Sequence, residues 1–240
     1  ILRKLHKVFL LVRYPDYRNA LRLGTAAAIE HAPVLAYLRE RDISDVVDVG
    51  ANVGQFSLLC RRELSQARII AFEPLSEAAG RFRAVFKDDP QVQLHQSAIG
   101  VEVAEMDIHV SKAADSSSLL PIGVTQSEIF PGTEDSHREA VRVAPLDAFV
   151  SNGVLRPNSL LKIDVQGYEL EVLKGCESLL AQFAAVYVEC SFVELYEGQA
   201  LADEVIDWLH QRGFSLACIG LLTFDRNGMS VQGDFLFLRR

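Results

Sequence analysis

An α/β fold, with one mostly parallel seven-stranded sheet and helices on both faces, is what this sequence predicts, on three observations. Short apolar runs alternate with amphipathic helical stretches along most of the chain. The run Val46-Val47-Asp48-Val49 enters a glycine turn, Gly50-Ala51-Asn52-Val53-Gly54, from which a helix leaves. A second apolar run, Arg68–Phe72, ends in one acidic residue, Glu73, followed by Pro74. Strand, glycine turn, helix and acid-tipped strand together are how a nucleoside-binding unit is written.

The chain starts differently from how it continues. Arg3, Lys4, Lys7, Arg13, Arg18 and Arg22 against Asp16 give the first 24 residues a charge of +5, while the whole chain carries −8. Leu2, Leu5, Phe9 and Val12 share one helical face, so residues 1–42 read as a basic amphipathic helical segment ahead of one domain over 43–240. The apolar run over residues 8–12 is too short to span a bilayer, and no cleavage-site pattern follows it. This segment is expected to pack on the domain or on a second subunit, with attachment to a membrane surface as the alternative.

Strands and helices then follow in order. Asp45–Val49 reads as a strand, residues 55–62 as a helix, Arg68–Phe72 as a strand, residues 76–86 as a helix and residues 92–98 as a strand, a parallel series. Residues 102–144 break the rhythm. Two short strands, 106–110 and 140–143, enclose a polar stretch with Ser116-Ser117-Ser118, which predicts a small inserted lobe over the rim of the site, or simply a turn. The series resumes with a strand over 160–164, a helix over about 168–180 and a strand over 185–189. A helix over 201–211 is terminated by Gly213. Strands over 214–219 and 235–238, separated by a turn at Arg226-Asn227-Gly228, close the chain.

Composition narrows the function. A hydrophobic content of 49% with 23% charged residues is that of a globular protein, and 240 residues suffice for one large domain. The net charge of −8 argues against a nucleic-acid partner, which needs clustered Lys and Arg. Cys60, Cys176, Cys190 and Cys218 lie scattered in apolar stretches, so they are expected to be buried reduced thiols and to favour a cytoplasmic location. No metal-ligand spacing is present, and His95, inside a predicted strand, reads as structural.

The glycine turn identifies the ligand by what it lacks. A dinucleotide fingerprint has glycine where this chain has Asn52 and Gln55, so the turn is not built to approach a pyrophosphate. S-adenosylmethionine carries no phosphate, and glycine at 50 and 54 is enough for its ribose and methionyl tail. Glu73 would accept hydrogen bonds from both ribose hydroxyls. Amides opening the next helix suit the methionyl carboxylate, and Asp48 lies near where the ammonium would sit.

Asp48-Val49-Gly50-Ala51-Asn52-Val53-Gly54, Phe72-Glu73-Pro74, Ser97-Ala98-Ile99-Gly100, Pro145-Leu146-Asp147-Ala148-Phe149 and Leu161-Lys162-Ile163-Asp164-Val165-Gln166-Gly167-Tyr168-Glu169 together resemble the FkbM family of S-adenosylmethionine-dependent methyltransferases. The resemblance covers roughly residues 43–239, including Tyr187-Val188-Glu189 and Leu195-Tyr196-Glu197-Gly198-Gln199. It implies a Rossmann-like class I methyltransferase fold, a last strand running antiparallel, no general need for a metal, and O-methylation of sugars, glycans or other small hydroxyl-bearing molecules. By position it implies that Asp48, Gly50, Asn52, Gly54 and Glu73 hold the cofactor and that Ser97 and Ala98 line the adenine. Family members often carry Glu where this chain has Gln166.

Methyl transfer needs an acceptor oxygen held in line with the departing sulfur, and a base to take the proton helps. Asp164 and Glu189, at the carboxyl ends of neighbouring strands, are the candidate catalytic residues, with Glu169 opening the next helix. Asp164 equally suits the methionyl end or a helix cap. A nicotinamide-dependent oxidoreductase would use the same early strands, but residue 52 counts against it. A non-catalytic nucleoside-binding module would not need Asp164 and Glu189. An oligomer is compatible with all three.

Overall fold

The computed structural model describes residues 13–151 and 153–240, so the amphipathic pattern of Leu2, Leu5, Phe9 and Val12 lies outside the described residues. Ten strands are described: β1 Asp45–Val49, β2 Arg68–Phe72, β3 Val92–His95, β4 Ala98–Ile99, β5 Ala104–Ser111, β6 Asp135–Ala144, β7 Ser159–Ile163, β8 Phe183–Ser191, β9 Phe214–Phe224 and β10 Ser230–Arg239. Seven form the main sheet in the order β3-β2-β1-β7-β8-β10-β9. All are parallel except β10, which runs against both neighbours, as expected for the closing strand.

Period-two alternation decides which side each strand residue serves. Val47, Ile70, Leu161, Val186 and Phe237 share one core with α6 (Glu169–Gly175) and α7 (Ala202–Gln211). Their neighbours Val46, Ile69, Leu160 and Ala185 share the opposite core with α1 (Pro15–Arg22), α2 (Ala32–Arg39), α3 (Gln55–Glu63) and α4 (Ser76–Val85). Both faces are therefore buried, and β1 and β7 carry no exposed residue.

Several expected boundaries move. The strand expected over 92–98 divides after His95: β3 pairs with β2, while β4 leaves the main sheet to pair with β6. Ser97 donates to the carbonyl of Arg142 at 2.9 Å and so draws the chain toward β6. β4, β6 and β5 make a separate three-stranded sheet, the inserted lobe, with α5 (Val124–Ile129) between its longer strands. At their amino ends both of those strands extend beyond their apolar centres through residues that face water. The helix expected over 168–180 stops at Gly175, where a Cβ would collide with the Gly100 carbonyl, and the chain continues as a 3-10 helix over Glu177–Gln182.

Cys60, Cys176 and Cys190 are buried, but Cys218 is exposed. It lies on β9, an edge strand of the main sheet, which runs to Phe224 with Leu216, Ile219 and Leu222 also exposed. His95 stacks on Phe72 at 5.1 Å and packs on Phe149 at 5.2 Å, an aromatic packing position. Among the described residues no helix is long and apolar enough to cross a membrane.

Candidate functional site

A cavity of about 400 Å³ opens at the carboxyl ends of β1, β2 and β7, where an open parallel sheet places its ligands. One end is built from the turn after β1. The amides of Gly50 and Ala51 both donate to the Phe72 carbonyl at 3.0 Å, which folds the turn back over β2. Asn52 then adopts φ 48°, and its amide donates to Glu73 Oε2 at 2.9 Å, while the Leu75 amide donates to Oε1 at 2.8 Å. The carboxylate is locked in place, 6% exposed, and burial raises its pKa to about 7 against the pull of those two amides. Ser97, Ala98 and Ile99 line the same end.

The other end rests on a polar strip across the sheet. Asp48, Lys162 and Tyr187 are register partners on β1, β7 and β8. Buried Lys162 donates to the Gly50 carbonyl at 3.1 Å and pairs with Asp48 at 3.2 Å and Asp164 at 3.6 Å. Burial alone would lower its pKa, but the two carboxylates hold it above the ordinary lysine value. Asp48 also accepts from Ser57 at 2.6 Å.

Beyond β7, Gln166 takes φ 59° and its amide donates to Asp164 Oδ1 and to Glu189 Oε2, both at 2.9 Å. Its carbonyl oxygen lies 2.9 Å from the Tyr196 hydroxyl, and its backbone carbonyl accepts from Ser118 of the lobe at 2.6 Å. Burial, then the charges of Asp164 and Asp234, push Glu189 well above the usual carboxylate range. Glu169 accepts from the amides of Gly167 at 2.9 Å and Val165 at 3.3 Å, so it holds the loop rather than facing the cavity.

Gly50, Asn52, Glu73, Ser97, Ala98 and Asp164 all line the cavity. Asp48, Gly54 and Glu189 stand behind its wall. Asp48 is fully buried under Lys162. At Gly54, φ 95°, a Cβ would meet the rings of Phe86 and Phe82, so this glycine serves the packing of α3 on α4. Glu189 reaches the site through Gln166. Ala26, Ala27, Ala28, Glu30 and His31, ahead of β1, also line the cavity, as do Lys162 and Gln166. Lys162 had a signal, a charge inside an apolar strand; residues 26–31 had none, because only tertiary packing brings them there.

The residues present fit S-adenosylmethionine. A carboxylate already fixed by two amides keeps lone pairs for the ribose hydroxyls, and at Gly50, φ 77°, a Cβ would overlap the Asp164 carbonyl, so the loops after β1 and β7 touch. Among the described residues no group of three His, Cys, Asp or Glu is placed to hold a metal ion.

Comparisons with known proteins agree. The chain is 26% identical over 203 residues to the 2-O-methyltransferase NoeI of Sinorhizobium fredii, covering 82% of this chain and 83% of that protein. It is 28% identical over 156 residues to the hexuronic acid methyltransferase AglP of Haloferax volcanii, covering 63% of this chain and 58% of that one. A crystal structure from Klebsiella pneumoniae, provisionally named an O-methyltransferase, superimposes with a TM-score of 0.51 at 16% identity, over 98% of this chain and 96% of that one, which supports the fold. The family model described as the methyltransferase FkbM domain matches residues 48–216, well over half of the sequence. This chain belongs to the FkbM family, and S-adenosylmethionine is its methyl donor.

Proposed function

We propose that the protein transfers the methyl group of S-adenosylmethionine to a hydroxyl of a neutral sugar, glycan or other small polyhydroxyl molecule. One observation carries the acceptor class. Glu30, Asp115 and Asp164 line the cavity, and Lys162, the lysine among the lining residues, is already shared between two carboxylates. An acceptor bearing phosphate or carboxylate would meet like charge with no free counter-ion among the described lining residues, whereas hydroxyls would find acceptors. The name of NoeI supports O-methylation, and a neutral preference separates this chain from AglP, whose name specifies a hexuronic acid.

When bound, S-adenosylmethionine supplies an electrophilic methyl group on a sulfonium. Glu73 would hold the ribose, Ser97 and Ala98 the adenine side, and the amides opening α3 the methionyl carboxylate. Asp164 is the proposed contact for the methionyl ammonium, and Glu189 a positioning residue that fixes it through Gln166. The family assignment leaves no place for the oxidoreductase reading.

Calorimetry with S-adenosylhomocysteine and NAD, followed by tritiated methyl transfer to neutral glycosides, uronates and glycosyl phosphates, tests this. The expected result is S-adenosylhomocysteine binding with a Kd of about 1 μM or tighter, no comparable NAD binding, and transfer to neutral glycosides first. Preferential methylation of uronates or phosphates would overturn the acceptor assignment.

A further inference from the structure

We propose that His31 takes the proton from the acceptor hydroxyl and that Tyr187 is its positioning residue; this rests on the methyltransferase reading above. His31 ends the 3-10 turn Ile29–His31 and lines the cavity along with Asp164. Its Nδ1 lies 2.9 Å from the Tyr187 hydroxyl and 3.8 Å from Asp234 Oδ2, and the Asp234 carboxylate also faces the Tyr187 hydroxyl. With the tyrosine proton directed to the Asp234 carboxylate, the tyrosine oxygen accepts from His31 Nδ1–H. The lone pair is then left on Nε2, the ring nitrogen that does not face Tyr187. A base held in one tautomer by a second group is the arrangement proton abstraction needs.

The ring is fixed on its other sides as well. Phe56 of α3 packs edge-on at 5.5 Å and Tyr187 at 5.7 Å. The charged groups facing it are Glu30 on its own turn, Asp48 on β1, Lys162 and Asp164 on and after β7, and Asp234 on β10. Burial, then Lys162, lowers its pKa below the ordinary 6.5, so the imidazole is neutral and able to accept at pH 7.

Asp164 is the poorer base, because Gln166 donates to one of its oxygens and Lys162 lies against the other. In the transfer, the acceptor O–H bond breaks as its oxygen bonds to the methyl carbon and the S–C bond breaks. The proton forms the Nε2–H bond, and the positive charge lost from sulfur reappears on the imidazolium, which returns its proton to solvent.

The test compares wild type, His31→Gln and Tyr187→Phe. Nitrogen-15 spectra of the histidine rings in the S-adenosylhomocysteine complex should show His31 as the Nδ1–H tautomer, with no turnover needed. With the best neutral glycoside, His31→Gln should lower kcat about 10²-fold or more and remove the acid limb of the pH profile, while S-adenosylhomocysteine affinity stays within about threefold. Tyr187→Phe should lower kcat about tenfold and mix the tautomers. An Nε2–H tautomer, an unchanged His31→Gln rate, or a loss of affinity equal to the loss of rate would overturn the proposal. Should His31→Gln fail to fold, an unchanged rate and tautomer in Tyr187→Phe would do the same. Wild type that binds no S-adenosylhomocysteine would overturn the methyltransferase reading itself, whereas binding with an unaffected His31→Gln overturns His31 alone.

Discussion

Glu73 joins structure and binding in one side chain. One oxygen fixes the turn after β1 through the Asn52 amide and the other the chain after β2 through the Leu75 amide, and its carboxyl, raised to about 7 by burial, is the group proposed to meet the ribose. Hydroxyls donate to the ionised form, so ligand binding should drive off the proton. Affinity for S-adenosylhomocysteine is therefore expected to fall about tenfold from pH 8 to pH 6, a dependence that Glu73→Gln removes. Glu73→Ala should weaken binding about 10- to 100-fold, the loss of roughly 1.5–3 kcal/mol for a hydrogen bond to a charged group, and calorimetry reads both effects. A pH-independent wild-type affinity would place the ribose elsewhere. Asp164→Asn makes the matching test on the donor side. With Asp164 on the methionyl ammonium and the proton going to His31, affinity should drop about tenfold while kcat at saturating cofactor stays within about threefold. A large loss of kcat with unchanged affinity would transfer the role of base to Asp164.

Elements decide which glycines matter. Gly50 holds β1 and β7 together, since at φ 77° a Cβ would overlap the Asp164 carbonyl; Gly50→Ala should cost at least about 2 kcal/mol in urea denaturation. Gly80, in the middle of α4, has open space around its Cβ position and an ordinary helical conformation, so Gly80→Ala should stabilise by about 0.5–1 kcal/mol. Two like substitutions of opposite sign separate the role of the turn from that of helix propensity. At this scale the sequence was legible where physics is local. The five residues of β1 and of β2, the turn at 50–54 and the acid at 73 are all adjacent in the chain, and short apolar runs placed them correctly. It could not show that residues 92–99 serve two sheets, because the distant β6 draws the chain away from β2, through the Arg142 carbonyl and the pairing of Ala98 with Val143. Nor could it show that Asp48 and Asp164 share Lys162, or that residues 26–31 fold back over the sheet, since those pairings depend on register between separated strands and on packing of an early segment.

For the molecule as a whole, the carboxyl end of the sheet collects acids that folding must bury. Glu73, Glu169 and Asp234 are each raised to about 7, in every case chiefly by burial, and Glu189 is raised further. An acid with a folded pKa above its unfolded value binds its proton more tightly when folded. Its stabilising contribution is complete below the unfolded value, near 4, and is lost as pH rises through the folded one. Other groups act the other way but at lower pH. His31 and His95, with pKa values lowered chiefly by burial, contribute stability above 6.5 that is lost as pH falls below it, and Asp45, lowered by its bonds to Arg156 and Arg68 despite burial, loses its contribution only in acid. Between pH 6.5 and 8.5 the buried carboxyls therefore act largely alone, at about 1 kcal/mol each for the three near 7. The apo protein is expected to melt roughly 5 °C or more lower at pH 8.5 than at pH 6.5, given about 2–4 °C per kcal/mol for a chain of this size. S-adenosylhomocysteine should narrow that gap, because it favours ionised Glu73 and binds only the folded state. Glu73→Gln should narrow it without any ligand. Thermal denaturation at the two pH values, with and without ligand, checks both expectations, and a wild-type apo protein more stable at pH 8.5 would mean that these carboxyls are ionised at little cost in the folded state.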